Sequence, residues 1–197
     1  MTEPIDVRER RELCDLLLQL GPDAPTLCEG WTTADLAAHL VLREHFRRWS
    51  DAQRAAEKAK GLPAMVARLR AGAPLIPWRL PRIRDVFNGL EFFIHHEDVR
   101  RANGRDPRAP IPDLEALSWR MVGLSARRLA RRIRPYGLEL SRPDGAKRRC
   151  GSGATATLSG PATELVLYLS GRRSSAHVTL AGDADAVAAV ERTKLTV

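Results

Sequence analysis

The sequence predicts a mainly α-helical protein, a helical bundle followed by a small α+β unit. Three observations carry this expectation. Apolar residues recur with helical period in segments between Val7 and Arg134. Start and stop chemistry brackets several of those segments. Beyond Pro135 the composition shifts toward Gly, Ser, Thr and β-branched residues. The expected domains are residues 1–135 and 136–197.

The first helix is expected over Val7 to Leu20, with a stripe of Leu13, Leu16, Leu17 and Leu20 and with Cys14 as a small core residue beside it. Gly21 and Pro22 stop it. Thr32 and Asp35 form a capping box with Asp in place of Glu, opening a helix expected to reach about Lys60. Leu36, Leu40 and Phe46 mark its inward face. His39 lies within that face, Arg43 one turn beyond, and His45 opposite. A short helix follows over Leu62 to Arg70, and Gly72, Pro74, Pro77 and Pro81 then break regular structure around an anchoring Trp78. The next helix runs from near Arg82 to Asn103. Ile83, Val86, Phe87, Leu90, Phe93 and Ile94 give it a buried face. Asp113 caps a further helix to about Arg134, with Leu114, Leu117, Met121, Leu124 and Ile133 inward and many arginines outward. In the last segment, strands are expected at Tyr136 to Ser141, Ala154 to Leu158 and Ala176 to Leu180. Helices are expected from Pro161 to Gly171 and from Asp183 to about Arg192, and His177 reads as a strand residue without chemistry.

Length and charge narrow the function classes. The chain has 197 residues and a formal net charge of +8, almost all of it from arginine. No apolar run approaches the ~20 residues of a membrane span, and the polar, acidic N-terminus does not read as a secretion signal. Cys14, Cys28 and Cys150 are odd in number and contain no C-x-x-C pair, which argues against a disulfide scaffold or a thiolate zinc site and for a reducing cytoplasm. No base neighbours Cys28 in sequence, so it is assigned no role. The basic residues are spread over several segments with sparse aromatic interleaving, so nucleic acid is not the expected partner. The arginines of the Asp113 to Arg134 helix are the best case for one.

The chemistry concentrates on Glu91 and His95. At i, i+4 on one helix they stack at the edge of the apolar face, while His96 projects nearly opposite. A carboxylate and an imidazole so placed share either a hydrogen bond or a divalent ion. His39 needs a buried partner of its own, which is a backbone carbonyl or the same ion. If the two helices pack side by side, His39, Glu91 and His95 supply three ligands and leave a position open, as catalytic metal sites do. Zinc is the default; nickel, iron and manganese suit the same ligand types.

Trp31-Thr-Thr-Ala-Asp35-Leu36-Ala-Ala-His39-Leu40, followed by Glu91-x-x-x-His95 and Asp98, resembles the metal-binding N-terminal domain of the mycothiol-dependent maleylpyruvate isomerase family, within the DinB-like superfamily. The run Glu91 to Ala102 resembles an actinobacterial subgroup of metal-binding proteins. The resemblance covers residues 5 to 135 well and the remainder weakly. It implies a DinB-like up-and-down four-helix bundle holding one divalent metal on His39, Glu91 and His95, with mycothiol as a thiol cofactor. The C-terminal unit resembles, in shortened form, the sterol-carrier-like part of the same family. Arg172 there matches loosely an arginine that helps bind an anionic substrate.

These readings lead to a metal- and thiol-dependent isomerase or S-transferase acting on a small electrophilic acid. Asp98 would orient His95 from behind, and Arg43 and Arg172 would attract the substrate carboxylate. The alternatives are a non-catalytic metal or small-ligand binding protein and, less favoured, a basic nucleic-acid-binding module. Exposed bundle faces are compatible with a homodimer.

Overall fold

The computed structural model describes residues 3–45, 50–72 and 88–195. Phe46, Trp78, the prolines at 74, 77 and 81, and the helix start near Arg82 with Ile83, Val86 and Phe87 lie outside the described residues. The chain divides into two compact units, Met1–Arg108 and Ala109–Val197.

In the first unit, α1 (Ile5–Leu20), α2 (Thr33–Glu44), α3 (Asp51–Lys58), α4 (Leu62–Ala71) and α5 (Leu90–Ala102) follow in order. α1 packs on α5 and α4, and α4 packs on α2. The expected leucine stripe of α1 is buried as far as Leu17, and it meets Leu36, Leu40, Met65, Leu69, Phe92 and Val99 in one apolar core. Cys14 sits in that core as a small buried residue. The capping box forms as read: the Thr32 side chain accepts from the Asp35 N–H, and Asp35 accepts from the Thr32 N–H.

The helix expected to continue from Asp35 to Lys60 is two helices. α2 ends at Glu44, and Ser50 takes extended backbone and accepts from the Gln53 N–H, so it starts α3 as a new N-cap.

Charge, as well as apolar area, joins α1 to α5. His96, the histidine expected on the far side of its helix, is buried, with Nδ1 3.2 Å from Glu9 Oε2. Arg108 lies 2.9 Å from the same carboxylate oxygen and 2.8 Å from Glu97 Oε1; it also reaches Glu12 at 3.5 Å, and Arg8 approaches Glu9 at 3.8 Å. Burial alone would raise the Glu9 carboxyl, but His96 and Arg108 more than offset this and hold it below the usual glutamate value. A carboxylate depressed in the folded state stabilises the fold above its unfolded pKa of ~4.3, and that contribution is lost as pH falls through the lower folded value. Thermal melts should therefore lose stability below about pH 4, and Glu9→Gln should flatten that acid limb while lowering stability near pH 7. An unchanged acid limb in Glu9→Gln would show that the loss arises elsewhere.

The second unit consists of α6 (Pro112–Arg132), β1 (Gly137–Ser141), β2 (Lys147–Cys150), β3 (Thr155–Ser159), α7 (Ala162–Leu169), β4 (Thr179–Gly182) and α8 (Ala184–Arg192). The sheet order is β2-β1-β3-β4; β1 and β3 are parallel, and the outer pairs are antiparallel. Leu138, Leu140, Ala156 and Leu158 alternate onto one buried face. α6 packs on α7 and β1, so it groups with the sheet rather than with residues 1–108, where the boundary at 135 placed it. Glu115 on α6 fixes that grouping: it accepts from the Ala162 and Thr163 N–H groups and so caps α7.

Several local expectations for this unit need correction. Leu124 is 61% exposed, because the buried stripe of α6 runs through Leu117, Val122, Ala126, Leu129 and Ile133 instead. Pro112 takes the first helical position of α6, with Ile111 as N-cap, so Asp113 does not cap the helix. β2 was not expected at all. The last strand begins at Thr179, after His177, whose N–H donates to Glu164.

Candidate metal centre

α2 and α5 place the expected residues together. His39 Nε2 lies 3.2 Å and His95 Nε2 3.3 Å from the same Glu91 oxygen, Oε1. One ligand atom from each of His39, Glu91 and His95 lies within 4.8 Å of the others. The two imidazole rings meet edge to face with centroids 5.1 Å apart. All three residues are largely but not fully enclosed, with side-chain exposures of 12%, 24% and 10%. The helical period explains this: His39 follows the buried Leu36, and Glu91 and His95 are one turn apart beside the buried Phe92.

Asp98, one turn beyond His95 and fully buried, lies 2.9 Å from His95 Nδ1 through Oδ2. Nδ1 is thereby engaged, and Nε2 is the nitrogen turned toward Glu91. Burial alone would lower the His95 pKa, but hydrogen bonds to Asp98, Cys28 and Glu91 raise it well above the usual histidine value. Burial lowers the His39 pKa, and its bond to Glu91 opposes this only in part. Burial would raise the Glu91 carboxyl; the two histidines and Arg43 overcome it and hold the group ionised far below the usual range.

A tetrahedral zinc site with bonds of about 2.0–2.1 Å to nitrogen and oxygen has ligand–ligand edges of about 3.3–3.4 Å. The 3.2 and 3.3 Å separations at Glu91 fit those edges, and two imidazoles with one carboxylate form a donor set for a divalent ion. The same distances serve hydrogen bonds when the histidines carry their Nε2 protons.

Arg43, expected at the substrate, stands at the edge of this cluster. Its Nε is 3.2 Å from Glu91 Oε1, and Nη1 donates to the buried Asn88 side chain at 3.0 Å. Arg172 lies in the second unit and donates from Nη1 to the Ser170 carbonyl at 2.5 Å. Cys28 is the residue that sequence reasoning passed over. Its Sγ donates to Asp98 Oδ2 at 3.2 Å and lies 3.8 Å from His95 Nδ1. The loop carrying it is pinned to α5 by Leu27 N–H donating to the Asp98 carbonyl and by the Asn103 amide donating to Pro25. A separation of about seventy residues leaves no local spacing from which this contact could be read. Trp31 packs its ring 5.3 Å from that of His39, and Arg54 lies 5.1 Å above the indole.

The fold and this cluster define a class: helical-bundle proteins that gather two histidines and a carboxylate from two neighbouring helices. Residues 7–149 match the family model for the mycothiol maleylpyruvate isomerase N-terminal domain, and the chain belongs to that family. A crystal structure of the mycothiol-dependent maleylpyruvate isomerase superposes with a TM-score of 0.53 at 17% sequence identity, covering 90% of each chain. A histidine-to-alanine mutant of the same enzyme superposes with a TM-score of 0.50 at 18% identity, again over 90% of each chain. At these identities the likeness shows the fold. No curated protein matches by sequence. Among the described residues, no helix is long and apolar enough to cross a membrane.

Proposed function

We propose that this protein is a metal-dependent isomerase or S-transferase that uses mycothiol and acts on a small electrophilic acid. The observation that carries the reading is the convergence of His39, Glu91 and His95 within 4.8 Å in a chain of the mycothiol maleylpyruvate isomerase family. These three residues would hold one divalent ion. Zinc is favoured, with nickel, iron and manganese suited to the same donors. Such an ion supplies a Lewis-acid centre that keeps a coordinated thiol ionised at neutral pH. Asp98 fixes the ring of His95 and so aims Nε2. Glu91 contributes the negative charge that favours a cation at this position. Arg43, anchored by Asn88, keeps a positive charge beside the cluster and suits a substrate carboxylate. Arg172 is the second anion contact that the family resemblance suggests. The odd cysteine count, with no C-x-x-C pair, fits a reducing cytoplasm.

Metal analysis of untagged protein should find about one equivalent of divalent metal per chain, lost in His39→Ala while circular dichroism stays unchanged. The metal-loaded protein should then turn over maleylpyruvate or a related unsaturated acid only when mycothiol is supplied. Metal and thiol binding without turnover of any such acid would assign a binding role and overturn the enzymatic part. Absence of stoichiometric metal after incubation with zinc or nickel would overturn the whole reading.

A further inference from the structure

The net charge is not shared evenly. Residues 1–108 hold 18 lysines and arginines against 16 acidic residues; residues 109–197 hold 14 against 8. Among the described residues of the first unit most arginines meet a carboxylate, as Arg10, Arg11, Arg68, Arg70 and Arg108 do. In the second, Arg127 and Arg131 of α6, Arg134 just beyond its end and Arg149 of β2 line one cleft of about 350 Å3, with Ala130, Cys150 and Gly151 between them. Among the described residues, none of these four guanidinium groups has a carboxylate within 4.0 Å; Arg149 donates instead to the Gly153 carbonyl at 3.0 Å. Four of the eight acidic residues of this unit are engaged elsewhere, Glu115 on the α7 N-terminus, Glu139 on Lys147, Asp144 on Arg142 and Asp183 on the α8 N-terminus.

Local stability does not account for this grouping. Arg127 and Arg131 are i, i+4 on α6 and repel across a helix turn, and Arg134 adds a like charge two residues past the helix end. The helix dipole rewards cations only in the last turn, which leaves Arg127 and the strand residue Arg149 unexplained. The cleft wall is close-packed backbone: a Cβ on Gly151, at φ +82°, would meet Gly137 Cα and Tyr136 O at 3.3 Å and Ala130 Cβ at 3.6 Å. We propose that this cleft binds a small ligand bearing two or more linked phosphate groups. Guanidinium forks match phosphate oxygens in pairs, and four of them suit the charge of a diphosphate better than that of a single carboxylate or phosphate. From Arg127 to Arg131 the helix rises only about 6 Å, a span for a few phosphates rather than a nucleic-acid strand. The cleft volume lies in the range of small-ligand pockets. This site belongs to the second unit and does not depend on the metal reading.

The test is calorimetric titration of the full chain, dialysed free of metal, at low salt with inorganic pyrophosphate, orthophosphate and a short single-stranded oligonucleotide. Pyrophosphate should bind at one site and at least about tenfold tighter than orthophosphate. Arg127→Ala/Arg131→Ala should weaken it by about tenfold or more. Arg128→Ala/Arg132→Ala removes the same charge from the other flank of α6, beside a recess of only about 30 Å3, and should change it by less than about threefold. Equal loss in both double variants would overturn the cleft in favour of general electrostatic attraction. No pyrophosphate binding, no preference over orthophosphate, or tighter binding of the oligonucleotide with a steep salt dependence would also overturn it.

Discussion

Glu91→Gln will lower the affinity for divalent metal on the order of a hundredfold or more, a larger effect than expected from any change behind the ligands. Three partners depend on this one carboxylate. Both histidine Nε2 atoms and the Arg43 guanidinium lie within 3.3 Å of Oε1. The amide preserves the volume and keeps an oxygen acceptor, so the helix interface survives. What it removes is the negative charge that offsets an incoming dication among two imidazoles and an arginine. Asp98→Asn gives the graded comparison. It leaves all three proposed ligands in place and loosens only the orientation of His95, so a drop of about 10- to 100-fold is expected. Competition titration with a chromophoric chelator measures both. If Glu91→Gln binds zinc as tightly as the unmodified chain, the carboxylate is not a ligand and the cluster is a hydrogen-bonded core feature.

The candidate site was legible because two helical periods and one capping signal carry it. Thr32 and Asp35 set the phase of α2, and that phase puts His39 beside Leu36 and Leu40. The i, i+4 spacing put Glu91 and His95 on one edge of α5 without any knowledge of the partner helix. Features set by tertiary contact were hidden. Cys28 reaches Asp98 only because its loop is tied to α5 by backbone hydrogen bonds. Leu124 counts as apolar in any periodic pattern, yet the face of α6 that packs on α7 and β1 is one step away from it. β2 reads Lys-Arg-Arg-Cys, which looks like a solvated loop; as an edge strand it tolerates that charge because the sheet continues on one side only. The break after Glu44 turned on Ser50, whose capping role is visible in sequence only once the preceding helix is known to have ended.

The charged part of the bundle core was also illegible, and it yields the largest expected effect on stability. Arg10 and Glu44 are 7% and 2% exposed and form a two-point pair, Nη2 to Oε1 at 2.5 Å and Nη1 to Oε2 at 2.7 Å. Nη1 also donates to the Leu69 carbonyl at 2.8 Å, and the guanidinium lies 4.3 Å above the Phe92 ring. One side chain thus ties α1 to α2, α4 and α5. Helical period puts Arg10 on the same face as Leu13 and Leu17, but the sequence offers no local spacing that pairs it with Glu44, thirty-four residues away. Glu44→Ala strands a buried cation and should destabilise the first unit by about 3–5 kcal/mol, a drop of roughly 15–20 °C in its Tm. Glu44→Gln keeps an acceptor and should cost less. Replacing both partners with apolar residues of similar size, Arg10→Met with Glu44→Leu, should recover most of the loss, because the desolvation cost of both charges goes with them. Denaturant melts of the two single variants and the double variant close the cycle. A Glu44→Ala loss below about 1 kcal/mol would mean that water or another group replaces the carboxylate, and that the pair does not hold the helices together.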